Sequence, residues 1–217
     1  MPLETFADCV NEVLNFGFND GPQVNRKRIE NWVNEAQFQI AREVESPEFQ
    51  ATEVITTKNE VYKYPLPSNF LRMQDIFFPE MYGRLRPAEL HQFDNQNPKI
   101  VVALPAVYTL YKNELWLFPN PNGEYELEER YIGNPPTLIA EGDKPVLNKN
   151  YLHLLVEYAV VRGFEAEDDM EAAQYHQGRY SRDLDAYASD VQLRNVDTPR
   201  NIEGTWGNRS LGLRGPW

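Results

Sequence analysis

The stretch 147–195 constrains the fold of this chain more than any other, because it reads as two consecutive helices. In the first, 149–164, Leu152, Leu155, Val156, Ala159 and Val160 fall at i, i+3, i+4, i+7 and i+8, one face of an α-helix. In the second, 167–194, Ala173, Tyr180, Leu184, Tyr187 and Val191 advance by seven, four, three and four, a narrow seam of the coiled-coil kind. A link at 163–167 folds them into an antiparallel pair. Ala159, Ala172, Ala173 and Ala188 are small and permit close packing. The pair reads as a rigid post rather than as a site of chemistry.

Such a pair leaves apolar surface over, and the N-terminal segment has matching surface. Leu3, Phe6, Val10, Val13 and Leu14 form a helical stripe, with Pro2 at its start and a stop at Gly17. A loop follows over 17–23. A second helix is predicted over 25–44, capped by Asn25, with Ile29, Trp32, Val33, Ala36 and Ile40 inward, and Ser46-Pro47 ends it. The terminal helices are expected to form one bundle, since neither pair alone hides its apolar faces.

Between them the texture changes to short strands. A hairpin is predicted from 51–57 and 60–64 about Lys58-Asn59, and a further strand over 71–78. One or two helical turns are predicted over 87–93, with Pro87 near their start, then a loop over 94–99. A second hairpin joins 107–111 to 114–118 through Lys112-Asn113. Pro119-Asn120-Pro121-Asn122-Gly123 is a dense turn signal, and a strand follows over 124–132. The fold class is therefore α+β: a helical bundle from both ends of the chain, with an inserted lobe of short antiparallel strands and an extended C-terminal arm. The expected division is 1–50 and 147–195 for the bundle, 51–146 for the lobe, and 196–217 for the arm. The arm holds Trp206, Leu211, Leu213 and Trp217 among glycines and prolines, with Arg200, Arg209 and Arg214 against Asp197 and Glu203. Such anchors fit a segment that orders on another subunit or partner better than a floppy tail.

The residues offer no reaction. The formal net charge of -12 opposes electrostatic gripping of nucleic acid, though it does not exclude a wall that DNA slides past. The lone Cys9 excludes an internal disulfide and reads as a buried small side chain. The start MPLETFADC lacks a basic and apolar leader pattern, so no signal peptide is expected, and no apolar run reaches membrane length. His91, His153 and His176 lack metal-ligand spacing and read as packing or surface histidines. Glu165, Glu167, Asp168, Asp169 and Glu171 read as helix-start acids. Glu126 and Glu128 alternate with Leu127 and are expected on a solvated face, so Glu126, Glu128 and Glu129 do not read as a paired-carboxylate site. Arg26-Lys27-Arg28 is too short to imply nucleic-acid binding. No enzyme activity, cofactor or metal is expected.

The order of parts carries a resemblance. IENWVNEAQFQIARE (29–43), YKYPLPSNF (62–70), LWLFPNPNGEYELEERYIGNPP (115–136) and YLHLLVEYAVVRGFEAEDDMEAAQYHQGRYSRDL (151–184) together resemble the head-to-tail adaptor, or connector, proteins of tailed double-stranded DNA bacteriophages. The resemblance implies a virion protein at the head–tail junction, assembled in the host cytoplasm. It implies a homo-oligomeric ring of about twelve copies beneath the portal protein, extending the channel for genomic DNA without sequence-specific binding. The ring would be a platform for a tail or nozzle protein, with no membrane partner. The arm, through Trp206, Arg209, Leu211, Leu213, Arg214 and Trp217, would dock on the portal. The alternatives are a tail-completion or stopper protein of the same junction, a small hydrolase with a site in the β lobe, and a monomeric helical binding module.

Overall fold

Thr5 decides where the first helix begins. Its Oγ1 accepts from the Asp8 N–H at 3.2 Å, and the Asp8 carboxylate accepts from the Thr5 N–H at 2.9 Å, a reciprocal cap. The computed structural model describes residues 3–18, 23–95 and 101–194. Helix α1, Phe6–Leu14, buries Phe6, Cys9, Val10 and Val13. Gly17 follows it with φ +99, a conformation open to glycine. Helix α2, Arg26–Glu43, starts where Asn25 Oδ1 accepts from the Arg28 N–H at 3.0 Å. It buries Ile29, Val33, Ala36 and Ile40, as its periodicity requires, while Trp32 is half-buried. Ser46 then caps a single 3-10 turn, Pro47–Phe49.

The strands of the inserted region are β1 (Gln50–Thr56), β2 (Lys63–Pro65), β3 (Phe70–Phe78), β4 (Gly83–Arg84) and β5 (Arg86–Pro87). Helix α3 (Leu90–Asn95) precedes β6 (Val102–Ala103), β7 (Val107–Tyr111), β8 (Glu114–Phe118), β9 (Asn120–Pro121) and β10 (Glu126–Gly133). One sheet has the order β1-β10-β3-β4 and a second has β2-β8-β7-β5, while β6 and β9 pair separately. The longer pairings are antiparallel; β5–β7 and β6–β9 are short parallel contacts. Tyr64, Ile76, Phe78, Leu85, Tyr108, Leu115, Leu117 and Leu127 fill a core between the two main sheets. The hairpin expected at Lys112-Asn113 forms between β7 and β8. Both turn residues have positive φ, +50 and +59, the backbone that matches strand twist.

The hairpin expected about Lys58-Asn59 does not form. β1 pairs with β10 and β2 with β8, in different sheets. Thr57 is the cause at the β1 end: it is fully buried, its N–H donates to Tyr125 O at 2.8 Å, and its Oγ1 bridges Gly123 O and Tyr125 N, each at 2.9 Å. Glu60 at φ +61 then turns the chain away. At the β2 end, Tyr62 meets Trp116 edge-on at 5.9 Å and the Lys63 ammonium lies 4.2 Å from the Trp116 ring. The helix expected over 87–93 begins three residues late, because Pro87 is held in β5.

Helix α4 is His153–Ala166, preceded by a 3-10 turn at Lys149–Tyr151, and helix α5 is Met170–Arg194. The residues read as their inner faces are all buried. The link is shorter than expected: α4 continues through Gly163, and the turn follows Ala166, with Asp168 at φ +61 and Asp169 accepting from the Ala172 N–H at 3.1 Å. α1, α2, α4 and α5 share one core with Phe49, Ile132, Leu138 and Leu147. β10 thus gives Leu127 to the lobe core and Ile132 to the bundle core, and couples the two mechanically.

Gly163 is needed for close approach rather than for a turn. A Cβ there would lie 2.4 Å from Phe18 Cζ. Gly163→Ala is therefore expected to destabilise the protein by about 1–3 kcal/mol through overpacking, against a helix-propensity gain of about 1 kcal/mol. Urea unfolding checks this; a raised midpoint would show that Phe18 moves aside freely.

Candidate functional site

The described residues present surfaces and polar joints rather than a catalytic pocket. The first joint binds α2 to the connector that follows β10. Asn34 Nδ2 donates to Leu138 O at 3.1 Å and its Oδ1 accepts from the Leu138 N–H at 2.7 Å. Gln37 does the same with Pro136 O at 3.1 Å and the Val146 N–H at 3.0 Å. Both amides are buried on the face that apolar periodicity marks as core. Each uses both its donor and its acceptor end to pair backbone that has no secondary-structure partner. The connector also reaches α1, where Phe6 N–H donates to Asp143 O at 2.8 Å and Ala7 N–H to Glu141 O at 3.1 Å.

The second joint lies between α4 and α5. Glu157 is buried; its Oε2 is 2.8 Å from His176 Nδ1 and its Oε1 2.9 Å from Arg179 Nη2. The carboxylate can only accept, which places a proton on Nδ1 of His176. The His176 ring stacks on Phe164 at 5.4 Å and meets Phe16 edge-on at 5.3 Å. His153 lies 3.7 Å from Asp183 on the same helix pair. His176 is thus a packing histidine with a charged partner. Position 176 lies on the α5 seam between Ala173 and Tyr180, so the seam spacing was the signal that it faces inward.

The third feature is Glu129. Alternation places it on the Leu127 face of β10, and there it is fully buried, with neither carboxylate oxygen hydrogen-bonded among the described residues. Burial, and then the charge of Glu53 opposite on β1, pushes its carboxyl up to about 7. The solvated-face expectation holds for Glu126, which is exposed, and for the half-buried Glu128, which pairs with Arg130 at 2.8 Å; Glu129 departs from them. The outer face of that sheet carries the chain Glu128–Arg130–Asp75–Arg84, with Arg130 over the Phe77 ring at 4.6 Å.

Other sequence candidates are absorbed by structure. Arg26 and Lys27 pair with Glu30, and Arg26 also with Glu141, while Arg28 lies over Trp32 at 5.1 Å. Cys9 is wholly buried, and desolvation raises its thiol to about 12, so it is no nucleophile. Glu165 pairs with Arg162 at 3.1 Å, and Asp169 caps α5. Trp206, Arg209, Leu211, Leu213, Arg214 and Trp217 lie outside the described residues.

Exposed apolar side chains are spread over the surface, among them Val54, Leu110, Tyr111 and Ile139, and two groups stand on different elements. On α5, Met170, Tyr175 and Leu193 face out; on the lobe, Met81 and Tyr82 stand at the β3–β4 turn, Tyr82 91% exposed. A cleft of about 550 Å³ separates bundle and lobe, lined by Phe38, Arg42, Asn69 and Pro136 among others.

Comparison with known proteins gives one family. The model of the SU10 adaptor protein family matches residues 4–202 of the 217. No curated protein matches the chain. The match spans both helical ends and the whole inserted lobe, the same parts in which the charged and polar groups serve packing, capping and joints. The chain belongs to the SU10 adaptor protein family and is a structural adaptor protein of a bacteriophage.

Proposed function

We propose that copies of this chain close into a ring beneath a portal, extend the DNA channel and present a platform for a tail or nozzle protein, with 196–217 as the arm that docks on the portal. The family match carries this reading. In it, 1–50 and 147–195 act as one bundle, 51–146 is a lobe set on it, and the protein is a component of the virion, put together in the host cytoplasm. A ring of about twelve copies needs two different, complementary faces on each subunit. The exposed apolar groups of α5 and those at Met81 and Tyr82 are two such places. The net charge of -12 supports a channel wall that DNA passes without adhering. The chain acts mechanically rather than as an enzyme, and needs no cofactor.

The test is the native mass of the purified chain, alone and mixed with the portal of the same virus. The expected result is a small species alone that becomes a ring-sized complex on the portal. Removal of 196–217 is expected to leave the chain folded and to weaken portal binding by at least about 100-fold, since buried aromatic anchors dominate such interfaces. A chain indifferent to the portal overturns the reading; unchanged affinity after the deletion removes the arm from it.

A further inference from the structure

The outer edge of β1 is an open pairing strip. β1 ends its sheet, and its only partner among the described residues is β10. Thr57 N–H donates to Tyr125 O, opposite it in register. An antiparallel ladder repeats this every second residue, so Ala51, Glu53 and Ile55 turn their N–H and C=O towards β10. Thr52, Val54 and Thr56 turn theirs outward. All three are exposed, Val54 by 55%. Edge strands are ordinarily blunted by proline, lysine, a bulge or brevity. β1 has seven residues, no proline or lysine, and an unbroken register with β10. An unblunted edge of this kind is the template on which an extended segment adds as a strand.

The chain itself supplies the segment. At the end of α5, Arg194 Nη1 binds Glu48 Oε1 at 3.0 Å, and Tyr187 Oη donates to Glu48 Oε2 at 3.0 Å. Glu48 stands two residues before β1, so the chain leaves the described body at the head of the open strip. The continuation, 195–217, is longer than the strip, at about 3.3 Å per extended residue. Charge agrees. Glu53 and Glu126, on and beside the strip, have no ion pair among the described residues, and the nearest arginine beyond Arg194 is Arg200.

We infer that the near half of this continuation, 195–205, adds to the β1 edge of its own chain, bonding the outward N–H and C=O groups of Thr52, Val54 and Thr56 and setting Arg200 beside Glu53. This goes beyond the ring reading and does not depend on it. It leaves Trp206 to Trp217 free for another partner, and it makes the direction in which that far half emerges a property of the lobe.

Residue-resolved hydrogen exchange on the full chain, at a concentration where its mass is that of a monomer, tests the pairing. The outward amides of Thr52, Val54 and Thr56 are expected to exchange at least about tenfold more slowly than in an Ile202→Pro chain, which removes one pairing donor from the arm. The inward amides of Ala51, Glu53 and Ile55 are the internal control and are expected not to change. Arg200→Glu, which keeps the arm backbone intact, is expected to speed the outward amides in the same direction. Outward rates equal in the native chain and both variants overturn the inference. So does protection that grows with concentration and survives Ile202→Pro, since a second copy then occupies the edge.

Discussion

At pH 8, Glu129→Leu is expected to be more stable than the native chain by about 2–3 kcal/mol. The buried carboxyl, with no hydrogen-bond partner among the described residues, is raised from 4.5 to about 7, first by desolvation and then by Glu53. The folded state therefore holds this proton more tightly than the unfolded chain does. The favourable contribution is complete below pH 4.5 and is lost as pH rises through about 7, so the native chain is weakest in alkali with respect to this group. Leucine has no proton to lose and joins the face that Leu127 already occupies. Urea unfolding of both chains at pH 5 and pH 8 isolates the effect, because all other groups cancel in the difference. A stability gap that is the same at both values would remove Glu129 as the source. A gap that widens at pH 5 would reverse the sign and mean that the carboxylate is held charged.

Glu157→Ala carries the opposite expectation, a loss of about 3 kcal/mol. It strips the buried partner from His176 and from Arg179, and it leaves a hole between α4 and α5. The loss falls at the low end of the range for a broken buried pair because Arg179, 39% exposed, can turn to water. Replacing Glu157 and His176 together by leucine is expected to recover most of the loss, since neither polar group is then left alone. The unfolding midpoints of the single and double variants give the answer. A single variant within about 0.5 kcal/mol of the native chain would show that the pair contributes nothing to holding α4 on α5.

The two joints account for chemistry-bearing residues buried inside this structural adaptor protein. Asn34 and Gln37 lie on the buried face of α2, where periodicity asks for apolar groups, and Glu157 and His176 lie inside the α4–α5 seam. Each satisfies a partner that only the folded chain brings near: the backbone at Leu138 and Pro136, or a side chain on the next helix. Such groups hold one arrangement of neighbouring elements against near alternatives.

What the amino-acid order determined by itself was whatever depends on nearest neighbours along the chain. The inner faces of α1, α2, α4 and α5 follow from spacings of three and four, and the Asn25 cap and the Lys112-Asn113 turn from side-chain and backbone preferences within a few residues. The bundle-plus-lobe order and the adaptor family were legible in the same way. Tertiary structure alone decided the strand partners. β1 and β2 sit close in sequence and read as a hairpin, but Thr57 finds Gly123 and Tyr125, and Tyr62 and Lys63 find Trp116, all from distant parts of the chain. It also decided the state of Glu129: alternation sets which way the side chain points, but only the second sheet closing over that face removes the water that would have kept it an ordinary carboxylate.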